Sequence, residues 1–226
     1  RRDLAQGKGG DMSPRKHVVI TGTGRSGTTF LVELLTHLGL NTGFTPETLG
    51  ARKYEIARAG LEHDIRWEKC PYIVKKTRFY EYAQEVLDRG DIVIEHVFVP
   101  MRDLFSAAES RRFVEKSTLS QLTFVERMAV AQSGEALPGG LWRTTSVEPG
   151  EQEKVLLEQL YDLLYTLSNT SIPLTLMRFP RMVHDSRYLF GKLEPILQGI
   201  AYERFAAGFA ATARPELVHN FEKSGR

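Results

Sequence analysis

The sequence predicts an α/β domain on a parallel sheet, and three observations carry that expectation. Helix-length amphipathic segments alternate with short apolar runs, as crossover helices between parallel strands require. The first apolar run ends in a glycine-rich turn that leads directly into an amphipathic helix. There is no heptad array, internal repeat or low-complexity linker, so one continuous domain is expected rather than a bundle. A chain of 226 residues is long enough for a well-buried core.

The elements follow in order. His17 to Gly22, HVVITG, is a β-branched run closed by glycine. From Thr28 to Leu40 the apolar residues Phe30, Leu31, Leu34, Leu35 and Leu38 keep helical spacing, with Gly39 near the end. Tyr72 to Lys76 reads as a second strand, and FYEYAQEVLDRG as a helix stopped by Gly90. A third strand lies in Val93 to Asp103, where Pro100 is tolerated only near the strand end or at an edge. Helices are expected over Leu104 to Val114 and Leu119 to Gln132, then a Pro- and Gly-rich loop from Gly134 to Gly150. EQEKVLLEQLYDLLYTL is helical, PLTLMRF is a fourth strand and DSRYLFGKLEPIL a further amphipathic helix.

Composition narrows the function classes. The apolar and charged fractions, 42% and 26%, are those of a globular protein rather than a disordered one. A net charge of +2 gives no reason to expect a nucleic-acid partner. Cys70 is the only cysteine, which rules out an internal disulfide and a cysteine-based metal cluster. No run of eighteen apolar residues exists, so a soluble chain without a transmembrane segment is expected. Residues 1–16 mix glycine with basic residues as a flexible leader or expression remnant would, and a removed anchor or signal is the alternative.

The stretch ITGTGRSGTTFL, Ile20 to Leu31, is the most informative. A nucleotide-hydrolysing phosphate loop reads G-x-x-x-x-G-K-[ST], its Lys reaching the outer phosphates. Here Gly22 and Gly27 have that separation and Thr29 supplies the hydroxyl, but Thr28 stands where the Lys belongs. The loop lies between a strand and a helix, where helix N–H groups and the dipole favour an anion. A tight turn used only for packing is the competing explanation. Losing the fixed cation disfavours triphosphate hydrolysis.

These residues resemble the sulfotransferases that use 3'-phosphoadenosine-5'-phosphosulfate. Arg25-Ser26-Gly27-Thr28-Thr29 matches that family's 5'-phosphosulfate loop, and VPMRDLFSAAES supplies Arg102 and Ser110 at the separation of its 3'-phosphate motif. PLTLMRFPRMVHDSRYLFGKLEPIL resembles its late strand and following helix. The resemblance implies a three-layer, P-loop-like fold with a central parallel sheet over residues 17–226. It implies a metal-free transfer of a sulfuryl group to a hydroxyl or amine of a small-molecule, carbohydrate or lipid acceptor. The cofactor would be held by Gly24, Arg25, Ser26, Gly27, Thr28, Thr29, Arg102 and Ser110. Arg25 and a lysine would neutralise the transferred group, with Lys76 preferred over Lys75 because strand alternation turns only one inward. Glu47 in GFTPETLG takes the place of the catalytic base of the protein-tyrosine branch.

Each assignment has a competitor in the residues themselves. Arg102 beside Asp103 is also a surface ion pair, and Glu47 also suits a helix start by dipole alone. His96 in the third strand reads as a core histidine, and His17, His37, His63, His184 and His219 show no metal-ligand spacing. Trp67, Trp142, Tyr80 and Tyr82 are candidates to line an acceptor site, and the Gly134 to Gly150 loop to cover it. Lys223, Gly225 and Arg226 resemble the start of a cofactor-capping loop, or are a plain polar terminus. A kinase with a degenerate loop, using Asp103 for magnesium, and a non-catalytic anion-binding protein are the alternative functions. The compartment expected is the cytoplasm for a bacterial-type chain, or the Golgi lumen for a eukaryotic one with its anchor removed.

Overall fold

The computed structural model describes residues 13–54, 59–133, 137–144, 146–219 and 221. In chain order these form β1 (Arg15–Ile20), α1 (Thr28–His37), the short strands β2 (Lys53–Tyr54) and β3 (Ala59–Gly60), β4 (Ile73–Lys75), α2 (Ala83–Leu87) and β5 (Ile92–Met101). Then come α3 (Leu104–Gln121), α4 (Phe124–Ser133), α5 (Glu151–Ser168), β6 (Leu174–Arg178), α6 (Arg181–His184), α7 (Ser186–Leu193) and α8 (Tyr202–Thr212).

Four strands make one sheet in the order β4-β1-β5-β6, every pair parallel. The pleat sends alternate residues to opposite faces. Val18, Ile20, Ile73, Phe98 and Met177 enter one core with Leu31, Leu34 and Leu35 of α1, Leu189 and Leu193 of α7 and Phe205 of α8. Val19, Val74, Val97 and Val99 enter the other, with Val86 of α2 and Leu163 and Leu167 of α5. Helices therefore flank both faces. Where both faces are buried, in β1, β4 and most of β5, the strands read as continuous apolar runs; the edge strand β6 buries Met177 and leaves Leu174 and Leu176 exposed.

A register shift between His17 and Val18 lets Ile92 and Ile94, then Val97 and Val99, all face the second core despite the change of parity. Pro100 sits where the pairing of β1 has already stopped at Phe98, so β6 alone flanks it.

Several boundaries differ from expectation. β1 begins at Arg15, two residues inside the segment read as leader. The helix break expected near 114–119 falls at 122–123 instead, because Thr123 and Glu126 form a reciprocal cap that starts α4 there. The β2–β3 pair and α8 had no counterpart in the sequence reading. Residues 1–12 of the leader and the Lys223, Gly225 and Arg226 assignment lie outside the described residues. Among the described residues, no helix is long and apolar enough to cross a membrane.

The topology also locates a crevice. From β1 the chain crosses to β4 on one side, then returns past β1 to place β5 on the other, so strand order reverses between β1 and β5. Open α/β sheets bind ligands beyond the carboxyl ends of the strands at such a reversal. The loop from Thr21 to Gly27 leaves β1 at that point, and Arg102 follows β5 there.

Candidate functional site

The loop leaving β1 is a succession of left-handed turns. Gly22, Gly24, Arg25 and Gly27 have φ of 134°, 68°, 56° and 85°. Successive turns of this kind point backbone N–H groups into a shared concavity that suits an anion. Gly27 caps α1 without any side-chain bond, so the first N–H groups of that helix face the concavity too. A Cβ at Gly27 would stand 3.0 Å from the Phe179 ring, and one at Gly24 would stand 2.9 Å from the Arg111 guanidinium. The Ser26 and Thr21 hydroxyl oxygens are buried with no partner among the described residues.

Arg25 pays a conformational cost in the left-handed region, of order 1–3 kcal/mol, and its neighbours hold it there. Its Nε donates to Ser110 Oγ at 3.0 Å, and its carbonyl accepts from Arg102 at 2.9 Å. The loop motif and the Arg102/Ser110 motif, 85 residues apart in the case of Ser110, are thus hydrogen-bonded to each other. Arg102 also donates to the His219 carbonyl at 2.6 Å, and burial lowers its pKa, only partly offset by Asp103.

Arg111 was not singled out from the sequence. Its guanidinium donates to the Thr23 carbonyl of the loop and the Gly140 carbonyl, both at 2.7 Å, while its Nε is buried without a partner among the described residues. Burial pushes its pKa down to about 10, with Tyr80 and Glu62 only weakly opposing. The signal was present: Ala107, Ser110, Arg111 and Val114 share the inward stripe of α3 at helical spacing, so a charge stands at a core-facing position.

Of the two lysines, the structure turns Lys75 to the loop, which corrects the preference for Lys76. Lys75 is 2% exposed, and its Nζ donates to Thr29 Oγ1 at 3.2 Å and to the Gly60 carbonyl. Lys76 lies just past the end of β4 and reaches Glu62, at 3.4 Å, from a partly exposed position. Lys75 brings to Thr29, from the neighbouring strand, the cation missing from the loop at Thr28. Burial lowers its pKa, and Glu62 at 3.6 Å works against that shift.

Glu47 is exposed in a turn and lines no part of the cavity above the loop, so the structure does not bring it to the other site residues. A hydrogen bond from Thr45 holds its carboxyl below the usual range. Glu62 is the acid that does face the cavity beside Lys75. Burial alone would raise its pKa, but Lys75, Lys76 and the Thr77 hydroxyl at 2.9 Å outweigh it and keep the carboxylate ionised. Glu62 lies on an irregular segment between β3 and β4, where no local pattern marks it.

The cavity has a volume of 1040 Å³, at the upper end of the range of about 300–1000 Å³ for small-molecule sites. The loop, Lys75, Arg102, Ser110 and Arg111 line it together with Phe44, Glu62, His63 and Trp67. Trp142 lines it too, its indole N–H donating to Tyr80 Oη at 3.0 Å and its ring under the Arg78 guanidinium. Tyr80 therefore supports the wall, whereas Tyr82 belongs to the second core. The long loop contributes Leu137, Pro138 and Gly139, held near the site by the bond from Arg111 to Gly140.

Two residues have structural roles. His96 is a core histidine, bonded to Thr175 at 2.8 Å and stacked on Phe98. Asp103 caps α3 by accepting from Ser106 N at 2.9 Å and does not line the cavity. Among the described residues no group of three or more His, Cys, Asp or Glu is arranged to hold a metal ion. No protein-family model matches the chain, and neither does any curated protein or solved structure.

Proposed function

We propose that the chain is a sulfotransferase of P-loop-like fold that takes 3'-phosphoadenosine-5'-phosphosulfate as donor. The observation that carries the reading is the Arg25 junction: one residue ties the 5'-phosphosulfate loop to both members of the 3'-phosphate motif. A donor with phosphates at both ends of its ribose needs two anion sites at fixed separation, and these bonds fix one. Lys75 supplies the charge that Thr28 lacks. Arg111 is a buried cation with an unpartnered donor, which suits an anionic ligand. The nest and the N-terminus of α1 take the 5'-phosphate, and Arg102 and Ser110 the 3'-phosphate.

In the reaction, the acceptor oxygen bonds to sulfur while the bond from sulfur to the 5'-phosphate oxygen breaks, its electron pair leaving with the phosphate. Lys75 and Arg25 neutralise the charge that builds on the bridging and equatorial oxygens, a role for which removal costs about 100- to 1000-fold. Glu62 takes the acceptor proton. The two lysines keep its carboxylate in the unprotonated form, and it stands beside Lys75, where Glu47 does not. A kinase reading lacks support: the acid it would use, Asp103, caps a helix.

The test is release of adenosine 3',5'-bisphosphate from the donor with EDTA present, using simple phenols, sugars and amines as acceptors. Acceptor-dependent release that falls about 100-fold or more in Glu62→Gln is expected. Absence of release with every acceptor class, alongside magnesium-dependent ATP turnover, would replace the reading by the kinase one.

A further inference from the structure

Resting on that reading, the acceptor side of the cavity carries its own chemical signature. Among the described residues eight arginine and lysine side chains line the cavity against two acids, Glu33 and Glu62, although the whole chain has 30 basic and 28 acidic residues. Such a concentration of one sign focuses the field on the cavity. The donor accounts for Arg25, Lys75, Arg102 and Arg111. Lys53 is neutralised by Glu33 at 3.1 Å and Arg78 by Glu81 at 3.0 Å, while Arg214 donates to the Ala213 carbonyl.

Arg52 is left. It closes a single 3-10 turn, and its side chain is exposed at the cavity with no hydrogen bond or ion pair of its own among the described residues. Its backbone is pinned, the carbonyl accepting from Leu61 N at 3.2 Å, so the guanidinium projects from a fixed base. It is close enough to His63 to oppose protonation of that ring. His63 lies between Phe44, at 4.8 Å between centroids, and Trp67, at 6.4 Å, and Trp67 is 58% exposed. An exposed tryptophan at a cavity mouth offers a flat apolar platform for a ring. His63 N donates to the Lys75 carbonyl, which places this aromatic group next to the strand that carries the reacting cation.

We propose that Arg52 is a specificity-determining residue for an anionic acceptor: a ring that bears the reacting hydroxyl and also a carboxylate or sulfate. The ring sits against the Phe44–His63–Trp67 wall, and Arg52 takes the anionic substituent as a bidentate partner. Two sources share this chemistry, hydroxyaromatic acids and acidic sugars.

The experiment titrates matched acid and neutral ligands into the protein saturated with adenosine 3',5'-bisphosphate. One arm uses 4-hydroxybenzoate and its methyl ester; the other uses a glucuronate-containing disaccharide and its neutral glucose analogue. In at least one arm the acid is expected to bind tenfold or more tightly than its neutral match, and the arm that responds identifies the source. Arg52→Gln should abolish that preference, leave the neutral ligand's affinity and the melting temperature unchanged, and leave bisphosphate binding intact; Arg52→Lys should restore part of the preference. Equal binding of acid and neutral forms, a preference that survives Arg52→Gln, or no binding in either arm overturns the inference. Failure of the bisphosphate to bind is a separate outcome that removes the sulfotransferase reading. The acid preference is then read on the free protein by the same criteria.

Discussion

Arg111→Met separates a residue kept for a ligand from one kept for the fold. A guanidinium drawn by burial well below its ordinary value, down to about 10, is disfavoured in its charged form by about 3 kcal/mol. Its bonds to the Thr23 and Gly140 carbonyls, donated by a charged group, return about 1.5–3 kcal/mol each. Exchanging it for an apolar side chain of similar length therefore removes a cost of about 3 and a gain of about 3–6 kcal/mol, and stability without ligand should fall by no more than about 3 kcal/mol. Binding should respond quite differently. Losing a charge-assisted hydrogen bond to an anion costs about 1.5–3 kcal/mol, a ten- to hundredfold loss of affinity for adenosine 3',5'-bisphosphate. Urea denaturation without ligand and calorimetric titration read the two quantities independently. A variant that loses more than about 3 kcal/mol of stability, or that binds the bisphosphate as the parent does, would refute the argument and make Arg111 a structural tie between the loop and Gly140.

Arg102→Ala should weaken adenosine 3',5'-bisphosphate by about 2–3 kcal/mol and 5'-AMP far less, by competition titration; equal losses would mean that Arg102 acts through Arg25 and not on the 3'-phosphate. Lys75→Met should reduce turnover about 100-fold or more while Lys76→Met stays within about threefold, and the reverse order in steady-state assays would return the role to Lys76. Glu47→Gln should leave turnover unchanged, whereas a loss comparable to that of Glu62→Gln would show that the turn at 45–48 closes over the site. Burial lowers the pKa of His17, His63 and His96, so the folded state resists protons that the unfolded chain accepts near 6.5. Their contribution to stability is complete above that pH and declines as pH falls through it, so the urea midpoint should be lower at pH 5.5 than at 7.5. An equal or higher midpoint at 5.5 would contradict it.

What the sequence disclosed follows from where chemistry is local. β1, β4 and β5 were legible because burial on both faces makes each largely an apolar run, whereas the edge strand β6 was marked by the apolar residues of PLTLMRF although Leu174 and Leu176 are exposed. The loop was legible because its small polar residues and glycines are contiguous. α8 escaped because YERFAAGFAAT gains its place from tertiary contact, with Phe205 fully buried and Gly208 lying close to Leu38. Lys75 and Lys76 were ambiguous because β4 stops between them, so strand alternation does not extend to the second lysine. Glu62 and Arg52 come from the irregular chain between α1 and β4, where position depends on the packing of the whole segment and not on any period. Arg111 could have been found by asking why a charge interrupts the buried stripe of α3.

The central claim is that the crevice beyond β1 and β5 binds a nucleotide with phosphates at both the 3' and 5' positions. Calorimetric titration of adenosine 3',5'-bisphosphate beside ADP and 5'-AMP, without magnesium, addresses it directly. The account predicts that the bisphosphate binds at least tenfold more tightly than either. Equal affinities for the bisphosphate and 5'-AMP, or a preference for ADP that appears only when magnesium is added, would contradict it.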